Sequence, residues 1–424
     1  MIGRAPDPVV GRRSALFLAA VALLPLHTVY LRAWISWKPW LALVVVLVLL
    51  HAAEGVRARK WPWHRRASFG LAVFLAAVAA SWAGAGGERF VRLLLALAVG
   101  GAVMLVTERE LRLPGMRRRT LRVIFWSAGA MAASAVVFSL VAVGTFGAGA
   151  SEAISSLPSV DRVTKTAYLD EGFVALTNWH QDPGYAAAWM NLWAALAFLA
   201  IRRGLGSGRR AVDAFVVGGL WLGIVMTLSR SGLLGMIVGL AVVLFVDRDR
   251  GWWDGVRLAV SAALATAALL ALVWVLDPAS VGGDLGDEMS FRIRQGLSLG
   301  PGEGSGGPGG GGIDYRGSVW PIYWDFFTDD PLRGAGLGTG WVADGVQEPH
   351  NLVLQLLGET GIVGLAGFLF LFSQVVRSRP SQVAVAALVV SLATAITQTV
   401  LFEPAWWFAA GLAIAGPPGE DDPW

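Results

Sequence analysis

The sequence predicts an all-α polytopic membrane protein with about twelve transmembrane helices. Of the 424 residues, 55% are hydrophobic and only 15% are charged, which is too apolar a composition for a soluble surface. Twelve apolar windows are long enough to approach the ~30 Å thickness of a hydrocarbon core as helices. Twenty Trp residues against five Tyr residues fit anchoring at the membrane boundary, which indole rings prefer.

Short polar turns separate most of the predicted spans, and one long polar segment separates the ninth span from the tenth. The seventh and eighth spans are joined by barely a turn, and Pro404 interrupts the last window. The predicted windows are 14–31, 39–53, 67–84, 90–107, 121–145, 184–201, 211–228, 231–247, 256–276, 351–376, 381–400 and 402–416.

The Lys and Arg residues alternate between the two sides of this map. With the N-terminus placed inside, the inner segments hold 23 of the 34 Lys and Arg residues. Because short cytoplasmic loops carry such an excess, the count predicts that both termini are cytoplasmic. The first window follows Arg12 and Arg13 and has no small-residue cleavage site after it, which predicts a retained helix rather than a signal peptide.

Two predicted outer segments are larger than turns. The first runs from about 147 to 183, and the second contains a Gly-rich tract at 300–312 that is expected to act as a mobile tether. The predicted organisation is transmembrane helices 1 to 9 in 1–276, an extracytoplasmic catalytic loop in 277–349, helices 10 to 12 in 350–416 and a disordered acidic tail in 417–424.

An aromatic helix face is predicted after the glycine tract. Arg316, Trp320 and Trp324 follow one another at intervals of four residues, so they share one face of a helix. Because proline fits a first helical turn but not a helix interior, Pro321 predicts that this helix begins near Ser318. Two interpretations remain open: the helix lies on the bilayer surface, or it directs Arg316 at an anionic headgroup.

Alternating glycines follow in the segment 334–340. No Lys-Ser/Thr pair comes after them and no βα unit surrounds them, which argues against a phosphate-binding loop. The pattern instead predicts a tight turn that returns the chain to the membrane.

His350 stands where this loop meets the tenth span, with Glu348 two residues before it. A neutral imidazole accepts a proton from a hydroxyl near neutral pH, but a single histidine at a membrane boundary is also tolerated without any role. Glu359 lies ~13 Å further along the helix, where an acid indicates either a function or a structural pair with a polar side chain.

Arg230 is held in the short turn Thr227–Gly232 between two spans, where it either snorkels or grips a lipid phosphate through its planar fork. The absence of Cys and the scatter of five His residues give no zinc-ligand spacing, so no metal site is predicted. One His and several Arg at the outer edge suit transfer from a lipid diphosphate: the arginines neutralise the leaving group while the histidine activates an acceptor hydroxyl.

In combination these residues resemble the bacterial O-antigen ligase and O-antigen polymerase superfamily. His350-Asn351, nine residues and then Gly361-Ile362-Val363-Gly364 resemble its H[NSQ]-x9-Gxx[GTY] signature. Arg316 with Trp320, the glycine turn after Pro331, and the Ser229-Arg230 turn are similar to other parts of the same region. The resemblance covers roughly residues 178–376.

The resemblance implies a GT-C-like, metal-independent glycosyltransferase of the bacterial inner membrane that needs no cofactor and binds no nucleic acid. It implies transfer of a glycan from undecaprenyl diphosphate to a lipid or glycan acceptor on the outer side. His350 would be the general base, and Arg230 and Arg316 would bind the diphosphate. The secondary candidates are Arg292, Arg294, Arg333, Asn351 and Glu359.

Two alternatives remain open at this point. Polymerases of the same superfamily share this region, although no RX10G motif, which some of them carry, starts at the outer arginines; this favours a ligase. A twelve-span transporter or lipid flippase is the alternative from another class. A transporter is expected to bind its substrate near the midplane between two related halves, whereas here the acids and bases concentrate in one outer loop.

Overall fold

A computed structural model describes residues 8–26, 31–32, 36–82, 87–142, 183–227, 229–276, 313–341, 348–395, 398 and 400–416. Within them the regular structure is helical, apart from a hairpin in which β1 (Leu31–Arg32) pairs antiparallel with β2 (Ser36–Trp37). The described α-helices are α1 (Pro8–Leu23), α2 (Pro39–Arg57), α3 (Arg65–Ala80), α4 (Gly87–Leu111), α5 (Met116–Ala142), α6 (Pro183–Arg202), α7 (Arg210–Met226), α8 (Arg230–Val246), α9 (Trp252–Leu276), α10 (Ile313–Asp329), α11 (Leu352–Arg377), α12 (Gln382–Ala395) and α13 (Pro404–Ile414).

Every predicted span overlaps one of these helices, and α10 lies in the predicted outer loop. Six of the described helices are long and apolar enough to cross a membrane, namely α2, α4, α5, α6, α9 and α11, and α8, α12 and α13 are shorter apolar helices. A helix satisfies its backbone hydrogen bonds within one segment, as hydrocarbon requires. The chain is therefore a polytopic membrane protein whose described part is helical apart from one short hairpin, whereas twelve crossings and a GT-C-like fold stay predictions.

Small residues allow the helices to approach closely, as is common where helices pack within a membrane. On α3, Gly70 lies against Leu371 of α11, and on α11, Gly367 lies against Ala77 of α3. A Cβ atom at Gly367 would meet the Ala77 Cβ at 2.8 Å. The order of these two contacts shows that α3 and α11 pack antiparallel.

Ion pairs and hydrogen bonds join several helix termini at one end of the bundle. Arg13 binds Glu54 at 2.7 Å and Glu110 at 2.8 Å, which joins the start of α1 to the ends of α2 and α4. Arg117 donates to the Ala415 carbonyl at 2.8 Å, which joins the start of α5 to the end of α13. We call this the arginine end, and we call the opposite end, at which α11 begins, the His350 end.

The first helix differs from its predicted window. The window 14–31 is wrong at both boundaries, because α1 begins at Pro8 and ends at Leu23. Pro25 follows two residues later; proline has no backbone N–H and disfavours a helical conformation in the residue before it, so the helix stops although the apolar run continues.

Two prolines also occupy positions in their helices that differ from the predicted ones. The predicted start of α10 near Ser318 is wrong: the helix begins at Ile313 and includes Pro321 in its interior. Pro321 is exposed there, and its missing N–H removes one hydrogen bond from the interior of the helix. Pro404 does not interrupt the last helix but begins it, in the first turn, where a missing N–H costs nothing.

Candidate active site

His350 lies immediately before α11. Asn351 is the N-cap of that helix, because its side-chain oxygen accepts a hydrogen bond from the Leu354 amide at 3.0 Å. His350 has a φ of 48°, in the left-handed region that histidine enters more readily than most residues that carry a side chain. Such a backbone conformation persists only where the surroundings hold it. Residues in such conformations cluster at active sites and ligand-binding sites.

The His350 imidazole contacts the side chain of Gln398, which lies in the connection between α12 and α13. Its Nδ1 is 3.0 Å from the Gln398 Oε1. An amide oxygen can only accept, so this contact is a hydrogen bond in the tautomer that has its proton on Nδ1, and in that tautomer Nε2 is the basic nitrogen. Gln398 is only 5% exposed, and His350 is half-buried. The contact thus joins a buried amide to a half-buried histidine.

The two residues before His350 are also attached to other helices. The Trp320 indole of α10 donates to the Pro349 carbonyl at 2.9 Å. The Tyr185 hydroxyl of α6 donates to a carboxylate oxygen of Glu348. Three consecutive residues therefore contact α10, α6 and the α12–α13 connection, which fixes the position of the imidazole.

The glycine turn packs against a break in α11. Gly361, within that helix, has a φ of 62° and a ψ of −166°, which is not helical. The Ala335 amide donates to the Gly358 carbonyl at 2.9 Å, and the Ile362 amide donates to the Pro331 carbonyl at 2.9 Å. Backbone amides and carbonyls of the turn and of α11 thus bind each other in both directions, which agrees with the predicted tight turn and not with a phosphate loop.

Glu359 lies just before this break and is fully buried. Its carboxylate accepts a hydrogen bond from the Gln355 amide at 3.2 Å. The backbone amides of Gly338 and Gly340 and the guanidinium of Arg89 also interact with it. Glu359 therefore links α11 to the glycine turn and to α4, so its position fits the structural pair that the sequence left open.

Arg89 is a residue that sequence reasoning did not select. It lies in the first turn of α4 and interacts electrostatically with Glu359, Glu348 and Tyr323. Its side-chain stem lies close to Gly338. A single arginine at the start of an apolar span gave no signal, because such residues are ordinary at membrane boundaries.

The turn that carries Arg230 is tied by its own hydroxyl groups. Ser229 is the N-cap of α8 and accepts a hydrogen bond from the Gly232 amide at 3.1 Å. The Ser229 amide in turn donates to the Thr227 hydroxyl at 3.2 Å. Arg230 is the first residue of α8, so these caps fix the backbone from which its side chain starts.

Arg230 and Gln398 lie at the same end of neighbouring helices. A Cβ atom at Gly235 of α8 would lie 2.6 Å from the Asn191 Nδ2 and 3.2 Å from the Thr394 Cγ2 of α12. Arg230 is five residues before Gly235, or ~7.5 Å along the helix, and Gln398 is four residues beyond Thr394. The candidate diphosphate arginine and the partner of the histidine are therefore both at the His350 end.

For two of the other predicted site residues the structure gives only the helix or the turn on which they lie. Arg316 is on α10, one helical turn before Trp320, and Arg333 is exposed in the glycine turn. Arg292 and Arg294 lie outside the described residues. Among the described residues, no group of three or more His, Asp and Glu side chains is placed to hold a metal ion.

Comparison with known proteins gives one family match. Residues 214–369 match the family model described as O-antigen ligase. The matched segment includes Arg230 and His350, whereas Arg89, Tyr185 and Gln398 lie outside it. No curated protein matches the chain.

Proposed function

We propose that this chain, whose residues 214–369 match the O-antigen ligase family model, is a member of the O-antigen ligase and O-antigen polymerase superfamily. We propose further that it transfers a glycan from undecaprenyl diphosphate to an acceptor hydroxyl. The observation that supports this proposal is the His350–Gln398 contact at 3.0 Å, at the end of the bundle where Arg230 begins α8. In the tautomer whose Nδ1 donates to Gln398, Nε2 is the basic nitrogen. The product would enter lipopolysaccharide or a related glycan of the cell envelope.

The proposed reaction assigns one role to each group. The acceptor hydroxyl gives its proton to Nε2 of His350 while its oxygen bonds to the anomeric carbon of the donor sugar. The bond from that carbon to the diphosphate oxygen breaks, and undecaprenyl diphosphate leaves with the electron pair. Arg230 and Arg316 stabilise the charge on the leaving diphosphate through their planar donor groups. The reaction uses no metal ion.

We place the His350 end on the extracytoplasmic side of the bacterial inner membrane and both termini in the cytoplasm. Two observations support this placement: the inner segments of the predicted topology hold 23 of 34 Lys and Arg residues, and Arg13 and Arg117 lie together at the opposite end of the bundle. A donor lipid in the outer leaflet would then carry its diphosphate at the level of His350.

The identity of the product tests the proposal. The full-length protein in nanodiscs would be incubated with a labelled lipid-diphosphate glycan, with and without candidate acceptors. Label on a separate acceptor indicates a ligase, which we expect, whereas a ladder of longer lipid-linked glycans indicates a polymerase. If no label reaches any acceptor and the labelled lipid instead moves across vesicle membranes, the protein is a lipid flippase and the proposed glycosyltransferase activity is wrong.

Arg316→Lys is expected to retain the positive charge but to lower kcat/KM by roughly tenfold. The ammonium group is a point charge and cannot bind two diphosphate oxygens at once as the guanidinium fork does. Initial rates over a range of donor concentrations measure the effect, with Arg92→Lys, at an exposed arginine near the start of α4, as the control. Equal rates for the wild-type protein and the Arg316→Lys variant would remove the bidentate contact from the mechanism.

Gln398→Glu is expected to move the acidic limb of the pH–rate profile to higher pH. A carboxylate beside Nδ1 stabilises the imidazolium, which raises the pKa of His350, so that a higher pH is needed to free Nε2. Gln398→Leu removes the acceptor and should instead lower kcat by roughly tenfold through loss of tautomer control. If neither variant changes the profile or kcat, Gln398 does not act through His350.

A further inference from the structure

A second cluster of charged groups lies at the arginine end, far along the bundle from His350. Arg202 binds Asp247 through its Nε at 3.0 Å, Arg203 approaches the other carboxylate oxygen at 3.3 Å, and Arg250 approaches that same oxygen at 3.6 Å. We call these four residues the Asp247 cluster. It holds three positive charges and one negative charge between the end of α6 and the turn that follows α8.

The weakly satisfied member of the cluster is Arg203. Its side chain is 2% exposed, and none of its three side-chain nitrogens has a hydrogen-bond acceptor among the described residues. Burial, followed by the neighbouring guanidiniums of Arg250 and Arg202, lowers the pKa of Arg203, and Asp247 opposes this shift. A buried cation without hydrogen bonds is costly. Arg202 also donates to the Gly251 carbonyl at 2.8 Å, so Arg203 is the buried guanidinium of the cluster that lacks an acceptor among the described residues.

The residues around the Asp247 cluster indicate the depth in the membrane at which an additional hydrogen-bond acceptor for Arg203 would lie. Arg250 has a side chain that is 41% exposed, so the cluster opens to the surface there. The next two aromatic residues, Trp252 and Trp253, are 46% and 71% exposed at the start of α9. Exposed indoles at the start of a membrane helix prefer the headgroup region. The open side of the cluster therefore faces the depth at which lipid phosphates lie.

We propose that the Asp247 cluster binds a phosphate-bearing anion, supplied here by the headgroup of an anionic phospholipid in the leaflet at the arginine end. A phosphodiester provides several acceptor oxygens in the geometry that guanidinium groups bind, and it balances the excess positive charge. Basic pockets between membrane helices bind lipid headgroups by the same combination of charge and depth.

Thermal unfolding of the full-length protein in nanodiscs of three compositions tests this binding. The compositions are phosphatidylcholine alone, phosphatidylcholine with phosphatidylglycerol, and phosphatidylcholine with inorganic phosphate in the buffer. We expect phosphatidylglycerol to raise Tm by about 2 °C or more, because it binds the folded state, and inorganic phosphate to have little effect. If inorganic phosphate raises Tm as much as phosphatidylglycerol does, the bound anion is not specifically a lipid headgroup. If neither raises Tm, the Asp247 cluster is not a phosphate site.

Matched variants separate lipid binding from a purely structural ion pair. Arg250→Ala should lose most of the Tm response to phosphatidylglycerol, whereas Arg248→Ala, at an exposed arginine of the same turn, should retain it. Arg203→Met should not lower Tm in phosphatidylcholine, since it removes an unsatisfied buried charge, and should abolish the response. If Arg203→Met lowers Tm in both discs and keeps the wild-type response, Arg203 serves structure alone.

Discussion

Replacement of His350 by asparagine is expected to lower the rate of glycan transfer by about 10²- to 10⁴-fold, the usual contribution of a general base. Asparagine also enters the left-handed region readily, so it suits the φ of 48° at this position, but its amide cannot accept the hydroxyl proton. Transfer of label from a lipid-diphosphate glycan to acceptor, measured at a fixed concentration of folded protein, gives the ratio of rates.

A second pair of variants separates the imidazole from its backbone. His350→Ala removes the imidazole but keeps the Cβ atom and with it the left-handed strain of about 1 to 2 kcal/mol, whereas His350→Gly removes both the imidazole and that strain. If the imidazole is the base, both variants lose activity equally although their Tm values differ. Near wild-type transfer by His350→Gly would assign the position to backbone conformation instead of catalysis.

The helices were predictable because hydrocarbon imposes a simple rule, that a span must be apolar and about as long as the membrane is thick. What hydropathy does not contain is the backbone chemistry of proline. The hydropathy window therefore extended the first helix past Pro25 to residue 31, whereas α1 ends at Leu23. The rule against interior prolines placed the start of α10 near Ser318, whereas the helix begins at Ile313 and contains an exposed Pro321.

The candidate site was predictable only where one short segment carries the signal. His350 and Arg230 stand in local motifs, and the structure puts both at one end of the bundle. The partners that position the histidine come from distant parts of the chain: Gln398 is 48 residues from His350, and Tyr185 is 163 residues from Glu348. Such contacts depend on how helices pack, which no local pattern encodes. Arg89 was not selected because a single arginine at the start of an apolar span is ordinary at a membrane boundary.

Two glycines that are not fixed positions of the His350 signature, one in the glycine turn and one in α11, have a physical explanation that their spacing did not reveal. Gly334 lies so close to α11 that a Cβ atom would meet the Gly358 carbonyl oxygen at 2.5 Å. At Gly358 a Cβ atom would in turn meet the Tyr323 carbonyl oxygen of α10 at 2.7 Å. Glycine at these positions lets the turn, α10 and α11 approach backbone to backbone, directly below the segment that holds His350.

Gly361→Ala is expected to destabilise the protein by on the order of 3 kcal/mol or more and to abolish transfer. A φ of 62° with a ψ of −166° is a conformation available almost only to glycine, and a Cβ atom there would lie 2.4 Å from both the carbonyl carbon and the oxygen of Leu332. Relief of this clash would separate the glycine turn from α11 and move the start of the helix, with His350. Thermal unfolding and the transfer assay measure the two effects.

Gly129→Ala is the matched control, because it adds the same methyl group at a helical glycine of α5. Its Cβ atom would meet Val216 Cγ2 at 3.5 Å, an ordinary contact, so Tm should stay the same or rise slightly from the better helix propensity of alanine. If Gly361→Ala unfolds at the same temperature as Gly129→Ala and keeps its activity, the break in α11 is not needed to position His350. A loss of activity at unchanged Tm would instead locate the effect in the geometry of the site, since the fold would then have absorbed the methyl group while the histidine had moved.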